Sequence, residues 1–151
     1  MTWFWQRWGG HGRAMLKFAL KLDGVASFAL GLLTLLIRPE VGMPVGWQIG
    51  LGTFCVVYGI GVFVLGTRAV PDRRIVLLVI IGNAVWALDS VLTAELKWFP
   101  LTDMGVALVL VQGIAVLGFA VLQAIGLKRA ASDPSASSNV PGTQPRSRSL
   151  A

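Results

Sequence analysis

The sequence predicts an all-α fold, a membrane-embedded four-helix bundle with up-down-up-down connectivity. Of its 151 residues, 55% are hydrophobic and only 13% are charged, and the mean hydropathy is +0.72. A soluble domain usually carries about 25% charged residues, so this composition excludes one. The apolar residues fall into four runs of roughly the length that crosses a bilayer as a helix. Because the connections between these runs are short, neighbouring helices should pack antiparallel.

Residues 1–13 are predicted to form an aromatic interfacial segment before the first helix. Four aromatic side chains are mixed with arginine there: Trp3, Phe4, Trp5 and Trp8. Tryptophan and arginine next to a membrane span favour the headgroup region, so we expect this segment to anchor the chain at the interface. Docking of a partner on the tryptophan cluster is the alternative.

The first transmembrane helix is predicted over residues 15–37 of a transmembrane domain spanning residues 14–129. Its uncharged part, residues 24–37, is shorter than the about 20 residues needed to span, so the preceding turns must enter the membrane as well. Lys17 and Lys21 can extend to the headgroups, which would leave Asp23 near that boundary. Gly24 and Gly31 form a small-residue face that favours close helix packing.

The second and fourth helices are predicted over residues 47–67 and 104–127. Pro44 sits poorly in a helix interior, so the second helix should begin after it. The fourth run is uncharged, and Gln112 and Gln123 are close to three whole turns apart, which places them on one face. Gln112 lies at a depth similar to that of Asn83 in the third helix, so we expect these two amides to pair.

The third helix, predicted over residues 75–96, is the one about which the others should be arranged. Its first 20 residues contain a single formal charge, Asp89, together with Asn83 and Trp86. An ionisable group in hydrocarbon is costly, so Asp89 should face the bundle and find polar partners there. Asp89, Asn83, Gln112 and Asp23 are therefore the candidate intramembrane polar site.

Residues 130–151 are predicted to be a disordered cytoplasmic tail, because serine, proline, glycine and arginine replace the apolar pattern. Lys and Arg near the spans number nine on one side of the membrane and two on the other. The positive-inside rule then predicts a multi-pass protein of the cell (inner) membrane with both termini cytoplasmic. The same rule accounts for the net charge of +6, so we expect lipid and not nucleic acid to be the partner of these cations.

The sequence contains few of the groups that catalysis or cofactor binding needs. Cys55 is the only cysteine and His11 the only histidine, which excludes a paired-thiol oxidoreductase and a bis-histidine haem protein. No phosphate-binding loop, zinc-ligand spacing or nucleophile elbow can be assembled. We therefore expect no enzyme activity, no metal and no cofactor.

Three segments carry a resemblance to known proteins: LDGVASFALGLLTLL in the first helix, GNAVWALDS in the third and PLTDMGVALVLVQGIAVLGFAVLQAIGLKRA in the fourth. Their order resembles that of small four-span integral membrane proteins of bacteria, most of which have no assigned function. The resemblance covers residues 17–130 and is one of layout, so it implies the fold and the membrane location and carries over no catalytic residue.

Two functions remain open from the sequence. In the first, the protein is a non-catalytic component of a membrane assembly that associates with itself or with another membrane protein through its small-residue faces, with Asp89, Asn83 and Gln112 as polar contacts. In the second, it is a small proton- or cation-coupled transporter in which Asp89 titrates. A cavity that touches both Asp23 and Asp89 would favour the transporter.

Overall fold

The computed structural model describes residues 3–37 and 39–132, with side chains from residue 11 onward. It contains four helices: α1 (Trp3–Ile37), α2 (Val45–Thr67), α3 (Arg73–Leu96) and α4 (Asp103–Ala131). Each has a stretch long and apolar enough to cross a membrane, starting at His11 in α1. The predicted all-α fold with four membrane-spanning helices is confirmed. The predicted tail lies outside the described residues beyond Ser132.

The residues just before α2, α3 and α4 determine where these helices begin. Pro44 precedes α2 as its N-cap, so this helix starts at Val45, two residues earlier than predicted. Asp72 caps α3 by accepting hydrogen bonds from the backbone amides of Arg74, at 2.8 Å, and Ile75, at 3.4 Å. The Thr102 hydroxyl accepts from the Gly105 amide at 3.1 Å and caps α4 in the same way.

Two helices extend a turn or more beyond their predicted bounds. The backbone is helical from Trp3, so α1 begins 12 residues before its predicted start at residue 15. No proline interrupts this stretch, and a helix satisfies its own backbone as it leaves the membrane. At the other end α4 runs to Ala131 instead of ending near residue 127, because Lys128, Arg129 and the alanines are good helix formers.

Contacts at the two ends of the bundle establish the antiparallel arrangement. Gly12 near the start of α1 lies against Arg129 and Ala130 near the end of α4. At the opposite end the α1–α2 and α3–α4 connections meet: the Thr102 amide donates to the Val41 carbonyl at 3.1 Å, and Trp47 packs edge-on against Phe99. The α2–α3 connection therefore lies at the first end, together with most of the basic residues.

α1 is the central helix of the packing, because it lies against both α2 and α4, whereas α3 packs mainly on α4. Glycines bring α1 and α2 together. A Cβ on Gly24 would lie 2.6 Å from the Phe63 amide nitrogen, and one on Gly59 would lie 2.6 Å from that of Phe28. The predicted close packing of the Gly24 and Gly31 face is confirmed, since Gly31 meets Gly52 in the same way.

Most apolar side chains outside these contacts point away from the protein. Leu16, Leu20, Val62, Leu65, Val76 and Val79 form a core cluster near the basic end. Many other leucines, valines, isoleucines and phenylalanines of the four helices are largely exposed. A water-soluble monomer rarely exposes such continuous apolar surface, whereas a lipid-embedded bundle does. The chain is accordingly a multi-pass membrane protein.

Candidate functional site: a buried carboxylate in a hydrogen-bonded cluster of all four helices

Each of the four helices contributes to one buried hydrogen-bonded cluster, which we call the Asp23 centre. Asp23 and Gln123 are completely buried and Asn83 is 4% exposed. The members of the centre are Asp23 and Ser27 of α1, Tyr58 of α2, Asn83 of α3 and Gln123 of α4.

The Asp23 carboxylate is the acceptor on which these groups converge. Its Oδ2 accepts from Asn83 Nδ2 and from Gln123 Nε2, both at 2.7 Å, and its Oδ1 accepts from the Ser27 hydroxyl at 3.3 Å. All three donors are neutral. A carboxylate removed from water needs hydrogen-bond donors whether or not a counter-ion is present. The two amides therefore replace some of the hydrogen bonds that water would donate to it.

The amides are themselves held in one orientation by further bonds. Tyr58 donates its hydroxyl to Asn83 Oδ1 at 2.7 Å, which leaves the Asn83 amide nitrogen to donate to Asp23. A longer contact of 3.4 Å joins that nitrogen to Gln123 Oε1. The direction of donation is thus Tyr58 to Asn83 to Asp23, and each member of the network has a partner.

Close helix packing positions these side chains. Gly24 and Gly59 allow α2 to approach α1 one residue from Asp23 and from Tyr58, respectively. Gly126, three residues after Gln123, lies against the backbone of Leu16, where a Cβ would be 2.9 Å from its Cα atom. Any larger residue at these positions would move Tyr58 away from Asn83, or Gln123 away from the Asp23 carboxylate.

A cavity of about 80 Å³ adjoins the Asp23 centre on the side away from the basic end. It has room for a few water molecules, since one requires about 10–15 Å³ by this measure. Its wall combines polar and aromatic side chains from all four helices: Ser27, Leu30, Phe54, Cys55, Tyr58, Gly82, Asn83, Trp86, Gln112 and Val116.

Aromatic rings bridge α2 and α3, whose backbones hardly approach each other beside this cavity. Phe54 stacks on Trp86 with ring centres 5.6 Å apart and planes 8° apart, and on Tyr58 with centres 5.7 Å apart. Phe54 is also half exposed to the outside. The three rings therefore close the gap between α2 and α3, and Phe54 stands between the cavity and the lipid.

Asp89 does not occupy the position that the sequence predicted. Its side chain is exposed on the outer surface of α3, so the expectation that it faces the bundle was wrong. The inward face of α3 is set by Val76, Val79, Asn83, Ala87 and Ser90, which are buried. Six residues past Asn83 correspond to about 600°, so Asp89 points about 120° away from that face, and Ser90 takes the inward position.

The expected pairing of Asn83 with Gln112 was also wrong. Asn83 bonds to Asp23, Tyr58 and Gln123, while Gln112 is half buried in the cavity wall. Of the four candidate residues, the structure joins Asp23 and Asn83, places Gln112 beside them and puts Asp89 outside. Asp23 was further expected near the membrane boundary, but it meets Asn83 near the middle of α3 because α1 extends back to Trp3.

Tyr58 and Gln123 belong to the centre but were not among the candidate residues. Counting residues from the end of the bundle opposite the basic one would have found Tyr58. Asp23 lies 14 residues before the end of α1 at Ile37, Tyr58 lies 13 after the start of α2 at Val45, and Asn83 lies 13 before the end of α3 at Leu96. Equal distances along antiparallel helices place residues at similar depth.

Comparison of the chain with protein-family models, with curated proteins and with solved structures found no match.

Proposed function

We propose that the protein is a non-catalytic component of a membrane assembly, and that it associates through the outward face of α3. The observation that carries this proposal is the exposed position of Asp89 within a membrane-spanning helix. Asp89 lies seven residues before Leu96, hence about 10 Å from the end of the helix at 1.5 Å per residue. The short aspartate side chain does not reach headgroups over that distance.

A carboxylate left facing hydrocarbon carries a large free-energy cost. Transfer of Asp to the centre of a transmembrane helix costs about 2.5–3.5 kcal/mol on insertion scales, and less toward the interface. Covering Asp89 with protein that supplies a hydrogen-bond partner removes much of this cost. An exposed intramembrane carboxylate on a single chain therefore favours an assembled state.

The residues around Asp89 form a regular contact surface, which we call the α3 stripe. Its members recur at alternating spacings of four and three residues, as in helix–helix interfaces. They are Leu78, Gly82, Val85, Asp89, Leu92 and Leu96, and all six are exposed.

A second copy of the chain is the partner that this surface fits most simply. Two copies inserted in the same orientation carry their Asp89 residues at the same depth, and a two-fold axis along the membrane normal would bring these residues together. Two carboxyl groups that share a proton can hydrogen-bond to each other. The Asp23 centre would then hold the four helices of each copy together. The sequence predicted polar contacts of this kind for Asp89, Asn83 and Gln112.

The transporter alternative has less support from this geometry. It requires a polar route that connects Asp23 with Asp89, but neither residue lines the cavity beside the Asp23 centre. Asp89 also points about 120° away from the inward face of α3.

The test is site-specific cross-linking in bilayers. In a Cys55→Ser background, Val85→Cys on the α3 stripe should form disulfide-linked dimers, whereas Val57→Cys should not. Val57 is the matched control because it is 66% exposed, against 60% for Val85, and lies at a similar depth on α2. Equal cross-linking at both positions, or a monomer throughout in lipid nanodiscs, would show that the proposed interface is wrong.

Substitution of Asp89 separates the two functions. Asp89→Asn keeps a hydrogen-bonding group and should preserve the dimer, whereas Asp89→Leu should weaken it about 3- to 20-fold, as for an interhelical hydrogen bond of about 0.6–1.7 kcal/mol. If the purified protein moves protons or a cationic dye in proteoliposomes, and Asp89→Asn abolishes this while the fold persists, the transporter function replaces our proposal.

A further inference from the structure

A second groove lies at the basic end of the bundle, between the start of α3 and the end of α4. It has a volume of about 330 Å³ and is lined on the α3 side by Arg73, Leu77 and Ile80. The α4 side includes Leu127 and Lys128. None of the residues that line this groove belongs to the Asp23 centre or to the α3 stripe.

The mouth of the groove is cationic. Arg73 is the first residue of α3 and Lys128 lies in the last turn of α4, and both side chains are exposed. Among the described residues, those that line the groove include these two cations and no carboxylate. The nearby Asp72 carboxylate already accepts from the Arg74 and Ile75 amides as the cap of α3.

Below the cations the wall becomes apolar. Leu77 and Ile80 follow Arg73 at four and seven residues, so they lie on the same face of α3 and descend about 10 Å into the membrane. Leu127 continues this wall on α4. The groove thus changes from two positive charges to hydrocarbon along the direction in which a phospholipid changes from its phosphate to its acyl chains.

We propose that this groove is a binding site for an anionic phospholipid. The Arg73 guanidinium and the Lys128 ammonium bind the phosphate, and one acyl chain lies along Leu77 and Ile80. Arginine binds phosphate oxygens through two parallel N–H donors, and lysine adds a point charge. Basic pockets between transmembrane helices at the headgroup level are suited to such lipids. This site does not depend on the proposed function, because it uses a different surface.

The neighbouring residues offer a matched control. Arg74 and Arg129 each adjoin one of the two groove cations in sequence and are exposed, but neither lines the groove. The double variant Arg73→Gln/Lys128→Gln removes the same net charge as Arg74→Gln/Arg129→Gln. A difference in lipid affinity between the two double variants therefore reflects binding in the groove and not the total charge at this end of the bundle.

The experiment measures phosphatidylglycerol binding to the full-length protein in neutral detergent micelles by native mass spectrometry and by titration. We expect the protein to prefer phosphatidylglycerol over phosphatidylcholine. The groove double variant should lose about 20- to 30-fold in affinity, at about fivefold per cation, and the control double variant less than about threefold. Helical circular dichroism checks that both variants are folded.

Three results would overturn the proposal. An equal loss in the two double variants would show diffuse attraction to the basic end, and equal binding of both lipids would show that the phosphate site has no preference for anionic headgroups. Displacement of the lipid by millimolar inorganic phosphate would show that free phosphate and not a lipid occupies the site. If the acyl chain contributes to binding, as we propose, Leu77→Gln should weaken phosphatidylglycerol binding although both cations are retained. Inorganic phosphate should not displace the lipid from this variant either.

Discussion

The Asp23 carboxylate and the Asn83 amide are 60 residues apart in sequence and 2.7 Å apart in the folded chain. This contact joins α1 to α3, two helices whose backbones have little direct contact. Both side chains are almost fully buried, so the bond lies in a medium of low polarity where its loss is costly. The Asp23 centre therefore joins α3 directly to α1, in addition to the packing of α3 on α4.

We predict that Gln123→Leu destabilises the bundle more than Gln112→Leu. The first substitution removes a donor at 2.7 Å from the buried Asp23 carboxylate, whereas the second removes a half-buried amide from the cavity wall. The expected difference in the free energy of unfolding is about 1–3 kcal/mol, measured by denaturation with sodium dodecyl sulfate in mixed micelles. The two variants share one helix and one change of side chain, so equal stabilities would contradict a fastening role for the Asp23 centre.

A second prediction concerns the contact between α1 and α2. Gly59→Ala should lower the free energy of unfolding by about 1–3 kcal/mol, because the added methyl would lie 2.6 Å from the Phe28 amide nitrogen. Gly61→Ala is the control on the same helix, where the space around the new methyl is open. It should be neutral or slightly stabilising, since alanine forms helices better than glycine. A Gly59→Ala protein as stable as the Gly61→Ala protein would show that the close approach is not required.

The third prediction uses Cys55 as a reporter of the cavity. This residue is 9% exposed and lines the same cavity as Phe54. Phe54→Ala should open the gap between α2 and α3 and so speed the reaction of Cys55 with a membrane-permeant maleimide. Val57→Ala changes an exposed residue that does not line the cavity and should leave the rate unchanged. Equal rates of Cys55 modification in the two variants would mean that the Phe54 ring does not restrict access to the cavity.

The fourth prediction is the orientation in the membrane. The excess of basic residues at one end predicts that this end is cytoplasmic. In a Cys55→Ser background, Glu40→Cys at the other end should react with an impermeant thiol reagent in intact cells. Val70→Cys in the α2–α3 connection, which is 71% exposed, should react only after the membrane is permeabilised. The reverse pattern would invert the topology and leave the fold unchanged.

Composition and the length of the apolar runs were enough to predict the four helices and their antiparallel order. These properties depend on local and additive physics. A helix is the simplest way to satisfy backbone groups in lipid, and its length follows from the membrane thickness. The glycines at Gly24 and Gly31 also indicated a packing face in advance, because close backbone approach requires small residues wherever the partner lies.

The tertiary structure alone decided which polar residues meet. The orientation of Asp89 depends on how α3 is rotated about its axis, and that rotation is set by the burial of Asn83, Ala87 and Ser90 against other helices. A single charged residue in an apolar run shows that its burial in lipid would be costly. It does not show toward which side of the helix the side chain points. The partners of Asp23 depend on the relative depth of the four helices. Because α1 begins at Trp3, Asp23 lies deeper in the bundle than the sequence predicted. Rotation and depth are properties of the packed bundle, because each arises from contacts between residues that are distant along the chain.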